Sequence, residues 1–431
     1  MSIATPLVYP ATSARWGWFV TGFLSIFFVL SFVDRTIVGL LVQPIAEELS
    51  ASDIEMGLLY GTVFGLAYSL MGLPAAYLID SGRRKAILVS GVVLWSASTA
   101  LCAFVPNYTW LLIFRMGIAI GEAVLSPAAV SMIADLFPRH KRHLPTSVYL
   151  TTGVLMATGS YFIGGFAIKL AALVVPEALS SWRATMLVVG LPGIVLGLLF
   201  GICIPDPART EDVVPAQSAA NFTRHLLAEW RLYPVIIFAG GLISLVSFGI
   251  IGWLPTVMIR QHGLSPADAG FFVGLIGIPS SIAGALGVPM VGAWLERRGR
   301  NDALLLLLVA SAASMACFAL LPLATGPAMV ALCLVPGLVG VMSKITLTTL
   351  IIQRSVPGRM RARFVALIML MTNLAGFGLG PLMVALIAER WHVGPSALAA
   401  GMSTLALMAS PVAFAAFASA LPSYRRLLRT T

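Results

Sequence analysis

Ionisable side chains stand in the middle of long apolar runs at three places. Asp34 and Arg35 lie in "FVDRTIVGL", Arg115 and Glu122 in "FRMGIAIGEAVLSPAAVSMIADLF", and Lys344 in "GVMSKITLTTL". A charge in so apolar a setting costs about 2.5–3.5 kcal/mol even on the most lenient scale, so each needs a partner or a task. Arg115 and Glu122 are seven residues apart, two helical turns, and share one face of a helix. A carboxylate beside a guanidinium can either pair with it or take up a proton. Burial disfavours its ionised form and the neighbouring cation favours it. Competition between these effects lets Asp34 or Glu122 exchange a proton near physiological pH, while Arg35 and Arg115 stay charged throughout. A static salt bridge is the plain alternative, but a buried ion pair is a poor source of stability.

The elements that hold these residues follow from composition. Of 431 residues, 59% are hydrophobic and 10% charged, against about 25% charged in soluble domains. Runs of about 20 apolar residues can cross a bilayer. Twelve are found, at 16–42, 54–80, 86–105, 108–137, 144–173, 182–204, 233–259, 266–295, 302–323, 326–353, 362–389 and 395–421. Only helices satisfy the backbone of such segments in lipid. With the N-terminus cytoplasmic, 20 of the 27 Lys and Arg fall on the cytoplasmic side and Lys169, Arg183, Arg260 and Arg390 on the other. The positive-inside rule favours that orientation, with both termini cytoplasmic. The net charge of +10 is then a rim facing lipid headgroups, which argues against a nucleic-acid surface. Four cysteines in apolar runs and five histidines in loops or at helix ends read as buried thiols and as no metal cluster.

Depth follows from helical rise. Asp34 lies about 18 residues, ~27 Å, into an outward-running span, and Arg115 about 7 residues, ~10 Å, into an inward-running one. In a membrane ~40 Å thick the two levels nearly coincide. Asp34 is therefore expected to pair with Arg115, with Glu122 and Arg35 in the same network.

The loop "AYLIDSGRRKAIL" carries Asp80, Arg84 and Lys85, and "GAWLERRGRNDALL" carries Glu296, Arg297 and Arg300. The two acids stand half a chain apart, which implies two repeated six-helix halves, 1–204 and 233–431. The polar, proline-containing segment 205–232 reads as a cytoplasmic linker whose end can form an amphipathic surface helix. An acid among clustered basics at both corners is expected to act as a conformational latch.

Twelve spans, paired halves and these loops resemble the major facilitator superfamily, whose loop form is Gly-x-x-x-Asp-Arg-x-Gly-Arg-Arg/Lys. Asp80, Arg84 and Lys85 match it, and Ala76, Ser81 and Arg83 depart from it. Within the superfamily, "VDR", the Arg115–Gly117–Gly121–Glu122–Ala123 pattern and "ADLFP" resemble the spinster-like branch, with the anion:cation symporter branch a close rival. The resemblance implies an all-α fold of two pseudo-symmetric six-helix bundles. It also implies proton-coupled movement of single-chain lipids or other amphiphiles, with Asp34, Arg35, Arg115 and Glu122 in the coupling. The fifth span has Ser160-Tyr161 where many drug antiporters carry Gly-Pro.

In the second half, Lys344 reads either as a snorkelling lysine or as an anchor for an anionic head group, with Thr372 and Asn373 in reach. Tyr60, Phe64, Tyr68, Tyr149, Phe248 and Trp253 are candidate cavity-lining aromatics, with Arg35 and Arg115 also available to substrate. "NLAGFGLGP", Asn373 to Pro381, suits close helix approach and bending at a gate. The expected function is alternating-access, proton-coupled transport of an amphiphilic, anionic small molecule such as a lysolipid or sphingoid-type lipid. Its partners are protons and membrane lipids, the proton being the coupling ion and no cofactor being required. The expected location is a cell membrane of the bacterial inner-membrane type, and the resemblance implies a monomer. The alternatives are symport of a hydrophilic organic anion and a membrane sensor without transport. No nucleophile–base set points to an enzyme.

Overall fold

The computed structural model describes residues 14–80, 83–174, 179–207, 219–394 and 396–430. No strand occurs among the described residues. Twelve helices are long and apolar enough to cross a bilayer: α1 Ala14–Leu49, α2 Asp53–Gly72, α3 Arg84–Phe104, α4 Tyr108–Leu136, α5 His143–Val174, α6 Ser181–Cys203, α7 Tyr233–His262, α8 Pro266–Arg297, α9 Ala303–Leu323, α10 Pro327–Ser355, α11 Arg363–Trp391 and α12 Ala397–Arg429. Each corresponds to an expected span, and the chain is a multi-pass membrane protein. Between α6 and α7, residues 208–218 lie outside the described residues. A short helix follows at Ala219–Ala228, its Phe222 edge-on to Phe364 of α11. Of the four cysteines, Cys102 and Cys333 are buried, Cys317 is half-buried and Cys203 is exposed near the end of α6. The expectation of a buried thiol thus fails at Cys203, because an apolar run long enough to cross a bilayer need not be covered by protein.

Local irregularities fall where sequence chemistry puts them. Helix α4 is broken after Glu122 and restarts at Leu125. Pro127 has no N–H to return to the Ala123 carbonyl, so the regular ladder cannot pass through this point. In α11, residues Thr372–Leu379 form a wide π-turn. Pro381 likewise leaves the Phe377 carbonyl without its intrahelical donor, and such turns recur at functional sites.

Within the first six spans α1 packs on α5, and α3 on α4 and α6; within the last six α7 packs on α11 and α12, and α9 on α10 and α12. The two sets meet where α2 packs on α11, α5 on α8 and α1 on α7, with a smaller contact of α1 on α8. Small residues set the closeness of each. A Cβ on Gly61 would stand 2.6 Å from the Phe377 carbonyl oxygen, and one on Gly65 2.7 Å from the Gly378 nitrogen. Thr62 Oγ1 donates to the Gly378 carbonyl across the α2–α11 seam at 2.6 Å. On the α5–α8 seam the Thr158 and Ser281 hydroxyls are 3.2 Å apart, and Lys169 reaches Asp268 at 3.4 Å. The α5–α8 contacts begin near the level of Arg35, since Thr158 stands half a turn from the Ser160 that meets Thr36, and Lys169 lies further along α5, away from the basic loops.

Candidate functional site

Two side chains one turn apart on α1, Ser31 and Arg35, point the same way because i and i+4 share a helix face. Both reach Glu122, which sits at the break in α4. Ser31 Oγ donates to Glu122 Oε2 at 2.8 Å, and Arg35 Nε donates to the same oxygen. Glu122 is fully buried, and its other oxygen, Oε1, is buried with no hydrogen-bond partner.

Asp34 lies about 100° further round the helix and faces α3, beside Thr99. Its Oδ1 is buried and unpartnered. Arg115 does not pair with this carboxylate. Its Nη1 and Nη2 donate to the main-chain carbonyls of Asp34 and Arg35, each at 3.0 Å, while its Nε is buried without a partner. The expected Asp34–Arg115 pair is therefore replaced by Arg35–Glu122, with Arg115 strapped across the backbone of α1. The levels matched the estimate from helical rise; the rotation of α1 about its axis decided the partners.

An aromatic wall completes the site. The Arg35 guanidinium lies 4.7 Å from the Tyr68 ring centre and 5.4 Å from those of Phe32 and Phe64. The Arg115 guanidinium lies 4.8 Å from that of Phe64. Ring faces attract cations, so these rings hold both arginines without neutralising them. Phe64 also meets Phe377 across the α2–α11 seam, at 5.8 Å between centres, and Phe377 meets Phe248 at 4.0 Å.

The other candidate aromatics divide by position. Tyr149 stacks on Phe28 at 4.7 Å inside the first bundle. Tyr60 and Tyr161 share a hydroxyl–hydroxyl bond of 2.9 Å, and Tyr161 donates to the Ile251 carbonyl of α7 at 3.0 Å. Tyr60 thus belongs to the seam between halves. Trp253 is buried, its Nε1 donating to the Pro381 carbonyl at 2.8 Å, so it braces α7 against α11.

Lys344 is only 3% exposed. Its Nζ donates to Ser244 Oγ of α7 at 2.5 Å and Thr372 Oγ1 of α11 at 3.1 Å, with the Gly240 carbonyl at 3.5 Å. The side chain crosses the second bundle instead of rising to the headgroups, so it does not snorkel. All three partners are neutral oxygens. Thr372 opens the π-turn of α11, and Asn373 follows it, partly exposed.

At the basic end, the Asp80 side chain lies outside the described residues. Arg84 is buried and pairs with Asp135, the acid of "ADLFP", and with Asp206 at 3.1 Å. The Lys85 main-chain N–H lies 3.4 Å from the other Asp206 oxygen. Glu296 pairs with Arg354 of α10 through both oxygens and not with Arg297, which is exposed. Arg300 reaches Asp302 at 3.3 Å, which Arg425 also holds. None of these pairs joins the two sets of six spans, Asp206 belonging to the segment between them. Sequence reasoning missed Asp135 and Arg354 as partners because they come from distant helix ends. The four-residue spacing of Ser31 and Arg35 was readable but went unused.

Twelve spans in two packed sets, with ionisable side chains buried inside each, define a polytopic membrane protein. The sequence matches the Major Facilitator Superfamily over residues 23–381, and the chain belongs to that family. Its relatives bear transporter names. It is 26% identical over 295 residues to an MFS-type efflux pump of Mycolicibacterium smegmatis, covering 67% of this chain and 64% of the relative. It is 32% identical over 247 residues to a sphingosine-1-phosphate transporter of Xenopus tropicalis, covering 56% and 46%. A probable L-galactonate transporter of Escherichia coli is 26% identical over 295 residues, covering 65% and 62%. The chain thus spans less than two thirds of each relative's length. In fold it is similar to the crystal structure of a bacterial homologue of the human lysosomal transporter spinster, with a TM-score of 0.79 and 23% identity over 97% of this chain and 98% of that one.

Proposed function

We propose that this protein is a proton-coupled secondary transporter that moves an amphiphilic, anionic small molecule, of the lysolipid or sphingoid-phosphate type, by alternating access. The observation that carries the reading is the sharing of Arg35 between Glu122 and the aromatic wall, with unpartnered carboxylate oxygens on both Glu122 and Asp34. A proton arriving on Glu122 weakens its hold on Arg35, and the guanidinium becomes available to a substrate anion. Loss of the substrate lets the pair reform and the proton leave. Lys344, held only by neutral oxygens on the other half, is the second anchor for a negative head group. Phe64, Tyr68, Phe248 and Phe377 offer the apolar surface a chain requires. The sphingosine-1-phosphate transporters among the relatives support the amphiphile.

The two halves, 1–204 and 233–431, rock about the linker 205–232. The cross-half seams lie on the side away from the basic loops, which supports a state open towards those loops. With the basic loops in the cytoplasm, the protein sits in the cell membrane as a monomer with the site reached from inside. Ion pairs within each half at the basic end, Arg84–Asp135 and Glu296–Arg354, are the latch partners in this state.

The likeness to a probable L-galactonate transporter favours a second reading, in which Arg35 binds a hydrophilic organic anion. Proteoliposomes with an imposed pH gradient separate the two. Saturable, gradient-driven movement of a lysophospholipid or sphingoid phosphate, with no movement of sugar acids, is expected, and Asp34→Asn should fold but lose the gradient dependence. Movement of sugar acids alone selects the second reading. Unchanged gradient dependence in Asp34→Asn removes Asp34 from the coupling.

A further inference from the structure

A groove of about 530 Å3 lies between α7, α11 and α12, on the flank of the second bundle and lined by none of the buried charges of the central site. Its walls are apolar, with Leu245, Met383, Met408 and Val412 among them, and Arg390 and Trp391 stand at one end. Trp391 is 61% exposed at the tip of α11, where an indole suits the membrane–water interface. Arg390 is exposed and makes no ion pair among the described residues. The neighbouring acid, Glu389, is turned to α2, where it accepts from the Ile54 N–H at 3.0 Å.

The length of the groove identifies what fits it. Leu245 lies level with Gly380, since a Cβ on that glycine would stand 2.7 Å from the Leu245 carbonyl oxygen. Arg390 is ten residues further along α11, about 15 Å at helical rise. That is half the ~30 Å hydrocarbon core, the depth of one leaflet. A long apolar trough one leaflet deep, ending in an unpaired guanidinium at headgroup level, is complementary to a lipid with a negative head.

We propose that this groove holds one anionic phospholipid of the adjacent leaflet, with an acyl chain against Leu245, Met383 and Met408 and its phosphate on Arg390. The guanidinium fork suits a phosphate diester. The site is separate from the central charges and stands whether or not the transport reading does.

The test is native mass spectrometry of the protein released from nanodiscs of mixed phosphatidylglycerol and phosphatidylcholine. The wild type should retain one phosphatidylglycerol per chain in preference to phosphatidylcholine. Arg390→Gln should lower that retention roughly tenfold. Val412→Trp, a substitution at a lining position already half-exposed, should lower it similarly by filling the trough. Leu275→Trp, on the exposed surface of α8, should leave it unchanged. Equal retention in the wild type, Arg390→Gln and Val412→Trp overturns the proposal. So does retention without headgroup preference, or a dimer that carries no lipid, which would make the groove a contact between copies.

Discussion

Arg260 of α7 binds both carboxylate oxygens of Asp53, at 2.7 and 2.9 Å, and so ties the second bundle to the first turn of α2. Its Nε also donates to Gln43 of α1 at 2.6 Å. The fork geometry fixes the angle between the halves as well as their distance. Opening this end requires all three bonds to break together. Hydrogen bonds to charged groups are worth about 1.5–3 kcal/mol each when partly desolvated. Asp53→Asn should therefore shift the population towards an open far end by roughly tenfold or more. Spin labels at Ala51 and Val393, on far-end loops of the two halves, report this directly. A longer-distance population is expected in Asp53→Asn, and superimposable distance distributions would show that the pair does not hold the closure.

Arg35 and Glu122 are coupled in the same sense, but inside the membrane. Removing one member of a buried ion pair leaves an uncompensated charge and costs about 3–5 kcal/mol, whereas replacing both by apolar groups is close to neutral. Arg35→Leu alone should lower thermal stability sharply, and Arg35→Leu/Glu122→Leu should recover most of it. Transport should be lost in both. A double variant no more stable than the single one would mean that Glu122 is held chiefly by Ser31 and the break in α4. Melting curves in a single detergent measure the cycle.

The success and failure of the sequence reading have distinct physical origins. The spans, the two-bundle fold and the close-packed, irregular stretch of α11 were legible because lipid imposes length, apolarity and small residues on any chain that crosses it. Levels were legible because helical rise is constant. The exchange of partners between Asp34 and Arg35 was not, since the one-residue step of about 100° round α1 that separates Glu122 from Thr99 as neighbours depends on how the helix is rotated. The partners of Arg84 and Glu296 also escaped. Asp135 and Arg354 are brought to them by the closing of helix ends that sequence spacing does not encode. In the sequence Arg260 is one of four cations on the far side, and a count of charges is blind to the acid that each will meet.

Asp302, between α8 and α9, offers a pH test outside the membrane. Burial pushes its carboxyl upward, but the hydrogen bonds from Arg425 and Arg300 outweigh that and hold it below its ordinary value of 3.8. A carboxyl depressed in the folded state contributes stability that is present above its unfolded pKa and lost as pH falls through the folded one. Both arginines are about half exposed, so solvent screening keeps the contribution to no more than about 1 kcal/mol. Asp302→Asn should thus melt slightly below the wild type at pH 7. The gap should persist to about pH 4 and close only at more acid pH. A gap that is already absent at pH 7 would show that the three-residue cluster adds no stability.

Lys344 carries the sharpest prediction for the substrate. Its ammonium is the counter-charge for no carboxylate in the hydrogen bonds it makes, so its charge is satisfied only by dipoles of Ser244, Thr372 and Gly240. Such a group gains most from an incoming anion, because Coulomb attraction is strong where water is excluded. Lys344→Met keeps the apolar stem and removes the charge. It should weaken binding of a lysophospholipid phosphate or sphingoid phosphate by tenfold or more. A neutral monoacylglycerol of the same chain length should bind within about twofold of its wild-type affinity. Thr372→Val leaves the charge but loosens its placement, so an intermediate loss confined to the anionic ligands is expected. Tryptophan fluorescence titrations in nanodiscs measure all three. Equal weakening of anionic and neutral ligands in Lys344→Met would mean that the lysine braces α7, α10 and α11 and that head-group recognition rests with Arg35.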